Sequence, residues 1–386
     1  MSLFNKSTLA LLASGVALSA MALPAHADIS ILDQNEFNIG LLDPLSLGVG
    51  GSIRPEFIWQ NGKEPGYYKN GHDGGTRLHA TANYQFNSHT ALIGYYEIQA
   101  NLFHIVDWDD HYEKGSKRTF QRQLYAGIQD DRYGTLTWGH QYGVYYDLVG
   151  GKSDMWDNDG YASANWIGYD GDYDGGERPK SALKYANTWG KWTIEADWLM
   201  PEDDAVAGDD GDTGDRMLLR RNHGGAIGAQ YAFQDDLTLG VAYNQNRMTV
   251  KDSTQSRKYN QQFVGSALTW TPGNWYLVTT ATYYKHYVPT HGNQTTRHFF
   301  AGDGYGLEAF GGYTFHFDKP MMYSIQPYLA TDTLRLKGGE NYHGNRTYIG
   351  VNYNFTENTS VALERTIANT SDDVADTTYM TFYLNF

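Results

Sequence analysis

Apolar and polar side chains alternate with a period of two along most of the chain. In residues 47–57, Leu47, Val49, Ile53 and Phe57 alternate with Gly48, Gly50, Ser52, Arg54 and Glu56. In 77–86, Leu78, Ala80, Ala82, Tyr84 and Phe86 alternate with Arg77, His79, Thr81, Asn83 and Gln85. The same scheme recurs at 191–200, 237–244 and 347–355. The last ten residues, TTYMTFYLNF, place Met380, Phe382, Leu384 and Phe386 opposite Tyr379, Thr381, Tyr383 and Asn385. Successive side chains of an extended strand point to opposite faces, so each segment predicts a strand with one apolar and one polar face.

The connections alternate in length. Short turns fall at NSHT (87–90), DDRYG (130–134), TWGK (188–191), QDD (234–236), TPGN (271–274), DKP (318–320) and TEN (356–358). Long polar stretches fall between them, at 61–74, 105–118, 141–178, 201–223, 249–258, 288–303, 336–345 and 370–376. Seven short turns and eight long loops join sixteen strands, and their alternation implies an up-and-down meander whose hairpins open at alternate ends. An even strand count, short turns on one side and long loops on the other point to an all-β, transmembrane 16-stranded antiparallel barrel of the outer-membrane kind. Aromatic residues near strand ends, such as Tyr84, Phe86, Tyr231, Phe233 and Phe355, suit a boundary that is apolar on one side and wet on the other. A soluble sandwich or propeller accounts for the alternation but not for the loop asymmetry.

The N-terminus adds to that contrast. Lys6, the apolar run LALLASGVALSAMAL and Ala25-His26-Ala27 form the charged, apolar and A-x-A parts of a secretory signal over residues 1–27. Residues 28–46 form a lead-in of unassigned role, and 47–386 the barrel. The 386-residue chain has no cysteine, so no disulfide framework holds it. After residue 27 no stretch reaches the roughly 20 apolar residues of a membrane helix, which leaves strands as the spanning elements. Composition is rich in Gly (43), Tyr (31), Phe (16) and Trp (10), unlike an α/β enzyme, which has more Leu and Ala and longer helical patterns. The formal charge of −15 excludes nucleic acid as a partner, since no basic patch is present to neutralise phosphates.

With the apolar face turned to lipid, the polar face lines a lumen. Sixteen strands leave room for an aqueous channel through which ions and small hydrophilic solutes diffuse, and no cofactor is needed. The longest connection, 143–180, carries Tyr145, Tyr146, Trp156, Tyr161, Trp166 and Tyr169. That much apolar surface calls for a wall to pack on, so the segment 141–178 is expected to fold into the lumen and narrow it. An alternative gives these rings to sugar binding, in an oligosaccharide-selective channel with an aromatic track. DGDYDG (170–175) spaces Asp170, Asp172 and Asp174 like the start of a calcium loop, but Ser181 stands where Glu is required, so at most a weak Ca2+ site is expected. Neither H-E-x-x-H nor G-x-S-x-G occurs, and an outer-membrane hydrolase survives only as an alternative with its groups on separate strands.

Two segments carry a resemblance. GHQYGVYYDLVGGKSDM (139–155) resembles the strand-into-loop segment of the general diffusion porins of Gram-negative outer membranes, and QRQLYAGIQDDRYGTLTWG resembles the strand pair before it. The terminal Phe386 matches that family's ending. The resemblance implies a homotrimer in outer-membrane lipid and lipopolysaccharide, with a third loop folded inward and a loop carboxylate facing a ladder of arginines. By position the ladder falls on Arg77, Arg122 and Arg178, with Arg54 a fourth member, and the carboxylate on Asp154. Family members carry Pro-Glu-Phe-Gly-Gly next; this chain has Trp156-Asp157-Asn158-Asp159-Gly160, which leaves the second acidic position open between Asp157 and Asp159. Opposed charges across a narrow eyelet set up a transverse field, and the acidic excess implies weak cation preference.

Overall fold

The computed structural model describes residues 28–36, 40–62, 68–105, 119–163, 168, 171–337 and 341–386. The signal segment 1–27 and the loop residues Trp166, Tyr169 and Asp170 lie outside these. Sixteen strands form the wall. They begin with β1 (Leu45–Ile53, continuing as Pro55–Gln60), β2 (Arg77–Gln85), β3 (Thr90–Ala100), β4 (Thr119–Asp130), β5 (Gly134–His140) and β6 (Ala182–Trp189). There follow β7 (Trp192–Leu199, continuing as Glu202–Asp209), β8 (Arg216–Gln234), β9 (Leu237–Lys251), β10 (Ser256–Trp270) and β11 (Trp275–Lys285). The last are β12 (Asp303–Tyr313, continuing as Phe315–Lys319), β13 (Met322–Lys337), β14 (Tyr342–Asn354), β15 (Thr359–Thr370) and β16 (Thr377–Asn385).

Each strand pairs antiparallel with the next, and β16 returns to β1 through Leu384↔Ile53, Met380↔Phe57 and Thr377↔Gln60. The barrel is closed, so the wall presents no unpaired edge to hydrocarbon. Trp198, Ile227, Leu329, Ile349, Phe382 and Leu384 are exposed on the outside. Residues of the opposite parity, among them Asp197, Asn244, Glu308, Asp332 and Glu364, are buried within.

The lead-in extends that closure. Phe386 exchanges both backbone hydrogen bonds with Gly51, at 2.8 and 3.1 Å. Immediately beyond, the short strand Ile29–Leu32 takes up pairing along the same edge of β1, with Ile29↔Val49, Ser30↔Gly48 and Leu32↔Leu47. It covers the stretch that β16 does not reach. Asp28 is tied inward to His79 Nε2 at 2.9 Å and accepts a hydrogen bond from Thr81 Oγ1 at 2.7 Å.

Two stretches expected as loops are strand instead. Segment 201–223 belongs mainly to β7 and β8, and 249–258 mainly to β9 and β10. A hairpin pairs its own backbone wherever it stands, so it can rise above the membrane without an apolar outer face. Its inner face does have one: Met217, Leu219, Met248 and Val250 pack with Phe299, Phe300 and Tyr173.

One irregularity lies in β4. Glu97 pairs with Gln123 but Ile98 with Gln121, so Arg122 is an extra residue in β4. Such a bulge re-aims a side chain. Arg122 shares the parity of the exposed Leu124 and Ile128, yet it is buried against Glu97.

Introducing a cation on the lipid face at mid-strand, Leu329→Arg, is expected to lower stability by about 2–4 kcal/mol. Asn83→Lys on the lumen face should cost little. Urea titration of folding into phospholipid vesicles measures both.

Candidate functional site

Residues 141–180 leave the wall after β5 and cross the lumen to the far side. The crossing starts with two short helical turns, Tyr146–Gly150 and Gly151–Ser153. Val144, Tyr145, Leu148 and Val149 pack against Ala226, Ala242, Phe263, Ala267 and Tyr284 of β8 to β11. Close approach is possible because the wall is small there: a Cβ on Gly240 would lie 2.1 Å from Leu148 O, and one on Gly306 would lie 1.7 Å from Ala162 O. Tyr145 donates through its hydroxyl to Ser163 O at 2.8 Å. Trp156 stacks on Phe310 and tilts against Tyr348.

A non-helical crossing leaves backbone N–H groups in need of acceptors. Three wall carboxylates supply them. Glu308 on β12 accepts from Ala162 N at 3.0 Å, Ser163 N at 2.6 Å and the Ser153 hydroxyl. Asp332 on β13 accepts from Tyr161 N at 3.1 Å. Glu364 on β15 accepts from Asp157 N at 3.0 Å and Asn158 N at 3.3 Å. Glu308 and Asp332 face each other directly across the strand pair, and the Tyr348 hydroxyl donates to Asp332 at 2.6 Å.

The four arginines come together. Arg54 on β1 lies 5.2 Å from the Tyr383 ring centroid and bonds Ser52 Oγ at 3.0 Å. It stands within electrostatic reach of Arg77 on β2 and Arg122 on β4. Arg122 bonds Glu97 at 2.8 Å, and Arg178 bonds Asp172 at 3.2 Å and Glu177. Arg178 also lies 5.9 Å from the ring of Tyr142, which stacks on Tyr146 at 4.4 Å. Among the described residues, the Arg77 Nε is buried without a hydrogen-bond partner.

The acidic positions separate. Ser153 points to the wall; Asp154, the next residue, accepts from the Tyr146 hydroxyl at 2.6 Å and interacts with Glu177 beside the arginines. Asp157 accepts from Thr381 and Tyr383 of β16, in reach of Arg54. Asp159, in a left-handed conformation (φ 43°), lies instead near Tyr161 and Tyr379. Burial, and then the Glu56 charge, push the Asp157 carboxyl up to about 6. Burial also raises Glu177 against the pull of Arg178 and Arg122. For Asp172 burial acts upward, but the His140 hydrogen bond and Arg178 outweigh it and hold the group low.

Glu97, Glu177 and Tyr142 belong to this cluster without having been assigned to it by sequence, and Asp172 and Tyr146 were named there in other roles, in a calcium-loop spacing and among the loop aromatics. Asp172 serves Arg178 and His140, and Asp174 accepts from Gly176 N at 2.9 Å and the Tyr287 hydroxyl at 3.1 Å. Among the described residues no group of three His or acidic side chains converges for a metal ion.

A family model described as Gram-negative porin matches residues 12–373. The fold superposes on OmpF of Salmonella typhi, solved as a complex with daunomycin, at TM-score 0.70 and 16% identity over 93% of this chain and 100% of that one. It also matches in-vitro folded OmpT of Vibrio cholerae in its trimer form (0.60, 16%, 89% and 100%) and an anion-selective porin from Comamonas acidovorans (0.58, 12%, 89% and 100%). No curated protein matches the sequence.

Replacing Glu308 by Ala removes acceptors for three loop groups, each charge-assisted bond being worth about 1.5–3 kcal/mol. The loop should loosen, with higher and noisier single-channel conductance in planar bilayers. Unchanged conductance and noise would show that this carboxylate does not hold the loop.

Proposed function

The chain belongs to the Gram-negative porin family, an outer-membrane channel for diffusion, and from that premise we propose that it passes small hydrophilic solutes through an eyelet of weak cation preference. The observation that carries this reading is the crossing of 141–180 to β12, β13, β15 and β16, away from Arg77 and Arg122 on the wall, with Arg178 near the end of the same segment and Arg54 beside Asp157. The loop leaves water only a gap between its Asp154 edge and the arginines. Water and polar solutes orient in the field across that gap, whereas apolar solutes must displace ordered water.

Four guanidinium groups share the gap with Glu56, Glu97, Asp154, Asp157, Asp172 and Glu177, so carboxyl groups outnumber them. That balance favours cations. The fold does not impose it, since a relative of the same fold is described as anion-selective. Passage by diffusion needs no catalytic group. The loop aromatics Tyr145 and Trp156 serve as buried anchors and not as a track for sugars. A homotrimer embedded in outer-membrane lipid and lipopolysaccharide fits the relative solved in trimer form.

In a planar bilayer the protein should give ohmic steps, and a KCl gradient should give a reversal potential of the cation-preferring sign. Arg122→Ala should raise conductance and strengthen that preference; clear anion preference in the unaltered protein would overturn the reading.

Asp157 is anionic above about pH 6 and neutral below it. Lowering the pH from 7 to 5 removes one negative charge from the eyelet, so cation preference should fall. Asp157→Asn should flatten that part of the pH profile.

A further inference from the structure

Beneath the loop, between Met155 and Asp157 and the short-turn end of β10 to β15, lies a cavity of about 430 Å³. That is within the roughly 300–1,000 Å³ typical of small-molecule sites. The recess exists because β15 presents only Ser360 and Ala362 there, directly opposite Asn354 and Asn352. Tyr276 borders it on one side and Tyr383 on the other.

Its floor is a row of amides and hydroxyls set by strand register. Ser324 faces Asn354 and Gln326 faces Asn352 across β13 and β14. Asn354 Nδ2 donates to Ser324 Oγ at 2.7 Å, Asn352 Nδ2 to Gln326 Oε1 at 3.3 Å, and Gln326 Nε2 to Thr314 Oγ1 at 3.0 Å. These bonds hold the amides in place. Each carboxamide keeps a second N–H and further acceptor capacity for a ligand.

The lining contains neither Lys nor Arg, and Asp157 is its single carboxylate. His316 is its single basic side chain, so an anionic solute would meet no lysine or arginine in the lining and one repelling carboxylate. An apolar solute would strand the amides without partners, at a cost comparable to a lost hydrogen bond for each. A polyhydroxylated ring satisfies both surfaces: hydroxyls exchange hydrogen bonds with amides, and its C–H face lies against an aromatic ring. The part of the lumen around Arg77, Arg122 and Arg178 offers no such lining.

Resting on the channel reading above, we infer that this cavity is a transient binding site for neutral sugars, entered from the short-turn side of the loop. The occupant is reached without crossing the eyelet from that side. Association is therefore faster from that side than from the long-loop side.

The test uses the intact protein in an asymmetric bilayer, with maltose as probe and gluconate as its charged counterpart. Maltose on the short-turn side should produce concentration-dependent current noise, with an on-rate above that from the other side, and gluconate should not. Filling the recess by Ala362→Phe should abolish the maltose noise while ohmic KCl steps persist. The Gln326→Ala, Asn352→Ala double variant should weaken maltose binding about tenfold. Maltose noise that both variants leave unchanged, gluconate noise equal to that of maltose, or silence in a conducting native channel would each overturn the site. Absence of KCl conductance would sink the channel reading instead, and it is read before any sugar is added.

Discussion

A peptide group in hydrocarbon has no water to bond, and this requirement organises the molecule. Strands satisfy it only when the sheet closes, because an open edge leaves N–H and C=O groups unpaired at several kcal/mol each. The β16–β1 seam is therefore the decisive contact. Its far end is sealed by two pieces of chain meeting on one edge of β1: Phe386 at Gly51, then Ile29 at Val49. Once the wall is closed, parity does the rest, turning one face of each strand to lipid and the other to the lumen.

The same requirement recurs inside the barrel. Loop 141–180 crosses without regular structure over 154–163, and its N–H groups take Glu308, Asp332 and Glu364 as acceptors. These carboxylates are attached to three strands of one rigid wall, so the loop is positioned by the barrel and not by its own conformation. That placement divides the lumen chemically. On one side stand arginines paired with Glu97, Asp172 and Glu177. On the other are the uncharged Ser324, Gln326, Asn352 and Asn354. In the reading proposed above, ionic solutes respond to the first and hydroxylated ones to the second.

The barrel was legible because alternation is a local signal repeated in every strand: Leu78, Ala80 and Ala82 against His79, Thr81 and Asn83 needs no knowledge of partners. Arg122 shows the limit. Parity assigns it to the lipid side with Leu124, and only the bulge against Glu97 turns it inward, a feature of pairing rather than of sequence. That Asp157 and Asp159 go to different places was equally closed to spacing. It depends on Thr381 and Tyr383, more than two hundred residues away in sequence, waiting at the point where the loop arrives. The anchoring carboxylates had a faint signal, since Glu364 sits between the inward Ala362 and Thr366, and Glu308 between Gly306 and Phe310. Their partners lie on the loop and could not be inferred. Segments 201–223 and 249–258 read as loops because polar outer faces masked the inward pairs Met217 and Leu219, Met248 and Val250.

The chain contains no cysteine, so single thiols can be placed one at a time against an empty background. Cysteine substitutions at 78 to 83 along β2, probed in vesicles with a membrane-impermeant cationic thiol reagent, test the two-faced wall directly. The account predicts labelling and altered conductance at 79, 81 and 83, and protection at 78, 80 and 82. Equal labelling at all six positions, or labelling of the other set, would contradict it.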